Sequence, residues 1–168
     1  MTDHLAAYFL PAVPLVTRLL LGWRWRKSMS EQLPEDAQER DLQRTFIFSL
    51  AGFSFTAVAG LAVLDATTKV TLQLPTWYVL LSFVVFICAL NVQSYKSSRW
   101  QNQLATVLLE VGTLSLMLSL VALLFTASFS HTFQWVATAI ALGSWLADHL
   151  IRLVIDYKYL ATRNTKLK

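Results

Sequence analysis

Two carboxylates stand inside apolar runs of this sequence. Glu110 lies within TVLLEVGTLSLMLSL, residues 106–120, and Asp148 within TAIALGSWLADHLIRLV, residues 138–154. A charge at the centre of a membrane helix costs roughly 2.5–3.5 kcal/mol on insertion scales, and the acids retained there typically serve proton relays, cation sites or buried pairings. Asp148 has a local partner, because Arg152 follows one turn later at the i,i+4 spacing that lets an acid and a base pair on a helix. With His149 and Asp156 these two form a strip, DHLIRLVID, suited to snorkelling toward headgroups. Glu110 has no basic residue within a turn. Three states are open to it: a neutral carboxyl, an ion pair with another helix (Arg18 is the candidate), or contact with water in a cavity. Glu110 and Asp148 each sit six residues inside the same end of their runs, ~9 Å deep at 1.5 Å per residue. Asn91 and Gln93 lie nearer the same surface. The expected polar layer, off the midplane, comprises Asn91, Glu110, Asp148, His149 and Arg152.

Other chemistries lack their residues. Cys88 is the single cysteine, so neither an intramolecular disulfide nor a CxxC redox pair exists, and inside its apolar run it reads as a small buried hydrophobe. His4, His131 and His149 are too widely separated to give metal-ligand spacing. There is no GxSxG elbow and no phosphate-cradling glycine loop. No metal, no cofactor and no enzymatic activity are expected. The net charge of +4 does not point to nucleic acid, since the sorting of basic residues to the cytosolic side of a membrane accounts for it.

The elements that must position these groups are apolar helices. Of 168 residues 55% are hydrophobic and 14% charged, well below the ~25% charged residues of soluble domains. Runs long enough to cross a bilayer cover residues 45–64, 76–92, 104–126 and 133–154. Short connections between them predict an all-α, up-down-up-down four-helix transmembrane bundle in a single membrane domain. Arg24, Arg26, Lys27, Arg40 and Arg44 before the first span, Lys96 and Arg99 in the second connection, and Lys158, Arg163, Lys166 and Lys168 in the tail fall on one side. That asymmetry makes residues 24–44 and the basic tail 155–168 cytosolic, in a multi-pass protein of the cytoplasmic (inner) membrane. Within 24–44, Pro34, Glu35 and Asp36 precede Arg40 and Arg44, the order that starts a helix and complements its dipole, so the first span is expected to begin near Pro34 as a cytosolic stalk. Trp77, Tyr78, Tyr95, Trp100, Trp135, Tyr157 and Tyr159 mark the interfaces.

Residues 5–23, LAAYFLPAVPLVTRLLLGW, form an additional hydrophobic segment kinked by Pro11 and Pro14 and carrying Arg18. Asp3, and the absence of a basic residue before the apolar stretch, argue against a cleaved secretory signal. The prolines and the arginine favour a bent interfacial or re-entrant helix anchored by Trp23 and Trp25, with a fifth span as the alternative.

Small residues at helical spacing mark where membrane helices approach closely. Gly52, Thr56 and Gly60 form such a seam on the first span; Gly112, Ser115 and Ser119 on the third; Ala141 and Ser144 on the fourth, with Asp148 next in line. The bulkier second span, VLLSFVVFICAL, is expected to be the most lipid-exposed. The favoured role is a homo-oligomeric membrane subunit that anchors or senses, and engages a cytosolic protein partner through Glu35, Asp36, Glu39, Arg40 and Arg44. The alternative is an ion- or proton-conducting pore in which Glu110, repeated about a symmetry axis, forms a ring of acids.

Overall fold

The computed structural model describes residues 5–24, 37–67, 72–94, 99–127 and 129–166, and its elements are helical throughout. In chain order they are α1 (Leu5–Phe9), a 3₁₀ turn (Leu10–Ala12), α2 (Val13–Arg24), α3 (Ala37–Thr67), α4 (Gln73–Ser94), α5 (Arg99–Thr126) and α6 (His131–Lys166). Four of these contain stretches long and apolar enough to cross a membrane: Asp41–Leu64, Gln73–Gln93, Gln103–Thr126 and His131–Val154. They overlap the four expected runs, and each helix continues past the apolar stretch wherever the adjoining polar sequence favours helix. The expected stalk is part of α3, which runs unbroken from Ala37, and α6 continues as helix to Lys166.

The helices pack as an open row rather than a closed bundle. α4 lies between α3 and α5, and α5 between α4 and α6, while α3 and α6 share no extensive contact among the described residues. The expectation that the second span is the most exposed is overturned. About a third of the α4 span is buried and only 6% of the α6 span. The reason lies in how bulk and gaps match. Phe86, fully buried on α4, fills the space that a side chain at Gly112 of α5 would need. Below and above it, Tyr78, Val79, Ser82 and Ala89 continue the same buried stripe. The large residues of α4 are the knobs and the small residues of α5 the holes, so bulk marks contact here instead of lipid.

The α3 seam behaves differently. Its packed stripe is Ile47, Ala51, Ser54 and Leu61. Gly52, Thr56 and Gly60 lie exposed on another face, and nothing approaches within 4 Å of where a Cβ on either glycine would stand. On α5, Ser115 and Ser119 are buried, and the Ser119 hydroxyl donates to the Pro75 carbonyl of α4 at 3.0 Å. On α6, Ala141 is half-buried and Ser144 exposed, its hydroxyl turned back to its own helix. Cys88 is exposed on α4, because the stripe facing α3 and α5 passes through Phe86 and Ala89 instead.

The N-terminal segment does not lie across the end of the row. It runs lengthwise against it, packed on α5 through the 3₁₀ turn and α2. Near its start, the Tyr8 and Trp77 rings meet edge to face with centroids 6.1 Å apart, and the Tyr78 hydroxyl donates to the Ala7 carbonyl at 2.7 Å. Near its finish, Arg18 reaches Glu110. Pro11 and Pro14 are fully buried. Proline lacks an amide proton, and its ring clashes with the carbonyl of the preceding turn and kinks a helix; at Leu10–Ala12 the ladder tightens into a 3₁₀ turn, and both rings lie buried. Tyr78, read as an interface marker, is turned inward for this contact, while Trp77 and Trp135 are exposed.

Candidate functional site: a buried arginine–glutamate–histidine cluster

Three helices each contribute one side chain to a buried ionisable cluster. α5 supplies Glu110, from the face that it turns toward α2 and α6, and only 3% of the residue is exposed. α2 supplies Arg18, whose Nη2 donates to Glu110 Oε1 at 2.6 Å. α6 supplies His149, whose Nδ1 lies 2.8 Å from Glu110 Oε2. Each carboxylate oxygen therefore has its own partner on a different helix. Of the three states open to Glu110 from the sequence, the interhelical pair with Arg18 is the one found, and His149 adds a second partner.

The far side of the imidazole is also engaged. Its Nε2 stands 3.4 Å from Thr17 Oγ1, and that hydroxyl is 3.1 Å from the Val13 carbonyl and 3.0 Å from the Pro14 carbonyl. Trp145, one turn earlier on α6, lies face to face with the ring, the planes 9° apart and the centroids 5.0 Å apart. The imidazole is thus approached on both edges and stacked on one face. Indole stacking fixes its plane, and the plane sets the directions in which Nδ1 and Nε2 point.

His149 departs from its expected place in the strip that snorkels outward. It is 4% exposed and faces α5, whereas Asp148 and Arg152 remain on the outer flank of α6. These two pair with each other at 2.8 Å, with side chains 57% and 42% exposed. A helix turns ~100° per residue, so Asp148 and His149, adjacent in sequence, necessarily face different neighbours. Asn91 is exposed on α4 and does not join the cluster. The expected polar layer therefore divides: Glu110 and His149 are buried together with Arg18, Asp148 and Arg152 form an exposed pair, and Asn91 stands apart.

Nearer the end where α4 and α6 finish, Arg44 Nη2 donates to the Gln93 carbonyl at 2.6 Å, tying α3 to the last turn of α4. The Gln93 side chain is buried, and neither its Nε2 nor its Oε1 has a hydrogen-bond partner among the described residues. Arg44 is thereby occupied within the chain and only weakly associated with Asp41, at 3.9 Å. Of the other residues expected to form a docking surface, Glu35 and Asp36 lie outside the described residues, as do the side chains of Glu39 and Arg40.

At the opposite end a cleft of about 570 Å³ opens between α3, α5 and α6 beside Leu72, lined by leucines, Phe129, Ala127 and Ala141, with Thr126 its sole polar residue. It offers no acid, base or nucleophile. Among the described residues no three His, Cys, Asp or Glu side chains converge where a metal ion would sit. The chemistry that the site supports is the holding and exchange of a proton between a carboxylate and an imidazole beside a fixed guanidinium.

No protein-family model, characterised protein or solved structure matches this chain.

Proposed function

We propose that the chain is a non-catalytic subunit of the cytoplasmic membrane that anchors or senses, assembles with copies of itself, and engages a cytosolic protein. The observation that carries this reading over conduction is the position of Glu110. A ring of acids lining a shared pore requires the carboxylate to face away from its own chain. Both Glu110 oxygens are instead occupied by Arg18 and His149 of the same chain, 96% out of reach of the surroundings. An acid neutralised within its own subunit serves coupling between helices better than it serves ion passage.

The exposed apolar surface supports placement in a bilayer. Phe46, Phe48, Phe53 and Phe55 on α3, and Phe133, Trp135, Ile140 and Ile151 on α6, are all more than half exposed. Water would not tolerate so extended an apolar face, whereas lipid and neighbouring membrane helices do. In this reading residues 5–24 are a fifth crossing, ~30 Å long if helical throughout, which enters beside Trp77 and finishes on the side carrying Arg24, Arg44 and the tail. That side is cytosolic by its basic residues.

Native mass spectrometry of the complex extracted from its own membrane in mild detergent tests the proposal. A cytosolic protein at fixed stoichiometry supports it. A bare homo-oligomer that conducts in liposomes, with flux altered by Glu110→Gln, overturns it in favour of the pore.

A further inference from the structure

We infer that His149 is a proton-operated latch: its imidazolium form clamps the N-terminal segment onto the row, and its neutral form lets that segment loosen. This deepens the sensing role proposed above by naming the stimulus and the moving part, and it rests on the membrane placement of that reading.

The inference follows from counting protons along one chain of contacts. Glu110 Oε1 accepts from Arg18, and Oε2 faces His149 Nδ1 at 2.8 Å, so Nδ1 carries a proton directed at the carboxylate. In a neutral ring the other nitrogen, Nε2, is then an acceptor. Its neighbour Thr17 Oγ1 has one hydroxyl proton and three acceptors around it: Nε2 at 3.4 Å, the Val13 carbonyl at 3.1 Å and the Pro14 carbonyl at 3.0 Å. The two carbonyls are closer, and a hydroxyl that donates to either turns only a lone pair toward Nε2. Nitrogen and oxygen then face each other as acceptors, and the contact between α6 and α2 is not a bond. Adding one proton to Nε2 resolves the conflict. The imidazolium donates to Thr17 Oγ1, the hydroxyl donates onward to the helix carbonyl, and the path from Glu110 on α5 through α6 to α2 becomes continuous.

Among the described residues, four groups face the ring. From α5 there is the Glu110 carboxylate; from α2, the Arg18 guanidinium and the Thr17 hydroxyl; from α6 itself, the Trp145 indole on its face. Asp148 and Arg152 close their own pair on the outer flank. Protonation sets a second cation beside the Glu110 carboxylate, and the indole face, which attracts a cation, lies against the new charge. The site thus has a place for the added charge and a donor-acceptor path that needs it. Histidine is the side chain whose ordinary titration falls within the physiological range, which makes it the suitable element for such a switch.

The moving part is bounded by its two pins. The contact of Tyr78 with Ala7 holds the start of the segment and involves no titration between pH 5 and 8. Loosening is therefore expected at α2 and not at α1.

Hydrogen exchange read by mass spectrometry on the full chain in liposomes, at pH 5.5 and pH 8 and corrected for intrinsic rates, tests the latch. In the wild type, amides of residues 13–24 are expected to be about tenfold better protected at pH 5.5, a coupling of ordinary size. Those of α4 should change little. Thr17→Val, which keeps the Arg18 and Glu110 contacts and removes only the hydroxyl, should abolish the difference, as should His149→Gln. Helical content by circular dichroism establishes that each variant is folded. Equal wild-type protection at the two pH values, or a pH difference that survives in folded Thr17→Val, overturns the latch. The measurement needs no partner protein, so its failure leaves the anchoring proposal standing, and the absence of a partner leaves the latch standing.

Discussion

The Phe86 ring of α4 occupies the space directly over Gly112 of α5, so that a methyl group at position 112 would overlap its edge. Phe86 is fully buried and belongs to the cluster that joins Ile47, Ala51, Ala89 and Leu109. Its ring has no open side to swing into. Gly112→Ala is therefore expected to destabilise the fold by about 1–3 kcal/mol, the usual cost of overpacking. Gly52→Ala and Gly60→Ala, where nothing lies within 4 Å, should be neutral or gain up to ~1 kcal/mol from helix propensity. Reversible unfolding in detergent of the three variants checks the ordering. A loss of oligomer in Gly52→Ala or Gly60→Ala without a loss of monomer stability would place the α3 seam at a contact between copies.

The Arg18–Glu110 and Asp148–Arg152 ion pairs should differ sharply when tested in the same way. Arg18→Ala leaves the Glu110 carboxylate, 4% exposed, short of its guanidinium, and should cost about 3–5 kcal/mol. The double variant Arg18→Met with Glu110→Met removes both charges and should recover most of that loss. Asp148→Asn breaks a pair whose side chains are 57% and 42% exposed, and should cost less than about 1 kcal/mol. A double-mutant cycle on each pair gives the comparison. Similar coupling energies for both would show that burial does not separate them.

Gln93 offers a gain. Its buried amide makes no hydrogen bond among the described residues, and its main-chain carbonyl alone receives Arg44. Gln93→Leu retains the carbonyl and removes the unsatisfied group, so stability should rise by about 1 kcal/mol. A fall in stability on thermal unfolding would mean that the amide is satisfied in the membrane by something the isolated chain does not supply.

At the start of the N-terminal segment, Tyr78→Phe deletes one hydroxyl and leaves the ring packing with Leu114 and Leu118 in place. The expected cost is about 1 kcal/mol, with faster exchange confined to residues 5–12. Exchange that spreads into α2 would show that both pins act as one unit.

The four long helices were legible in the sequence because span length and polar punctuation are properties of each run alone. Which face of a run turns inward was not. In a soluble helix polar residues mark the outside, but α4 is apolar all round, and the periodicity that would separate Phe86 from Ile87 is absent. Bulk was read as lipid exposure, whereas Phe86 fits a gap at Gly112 that only the pairing of two helices reveals. Glu110 was legible as the residue in need of a partner, and Arg18 as a candidate. The inward turn of His149 is hidden in the sequence by Arg152 and Asp148 beside it, which pair so readily along the helix. Its signal lies in Trp145, one turn away, which is half-buried and stacks on the ring. The α3 seam illustrates the converse error: small residues permit close approach without requiring it.

α6 extends as one helix from His131 to Lys166, and His149 stands almost at its midpoint. Seventeen residues follow the imidazole, a rigid arm of about 25 Å at 1.5 Å per residue. Only 6% of the α6 span is buried against the rest of the chain, so few contacts oppose a tilt. A rotation of ~10° about the His149 contact displaces the tip by ~4 Å at that arm length. Mechanically the helix has the proportions of a lever with its fulcrum at the imidazole, so that a small tilt there becomes a displacement on the scale of a side chain at its tip.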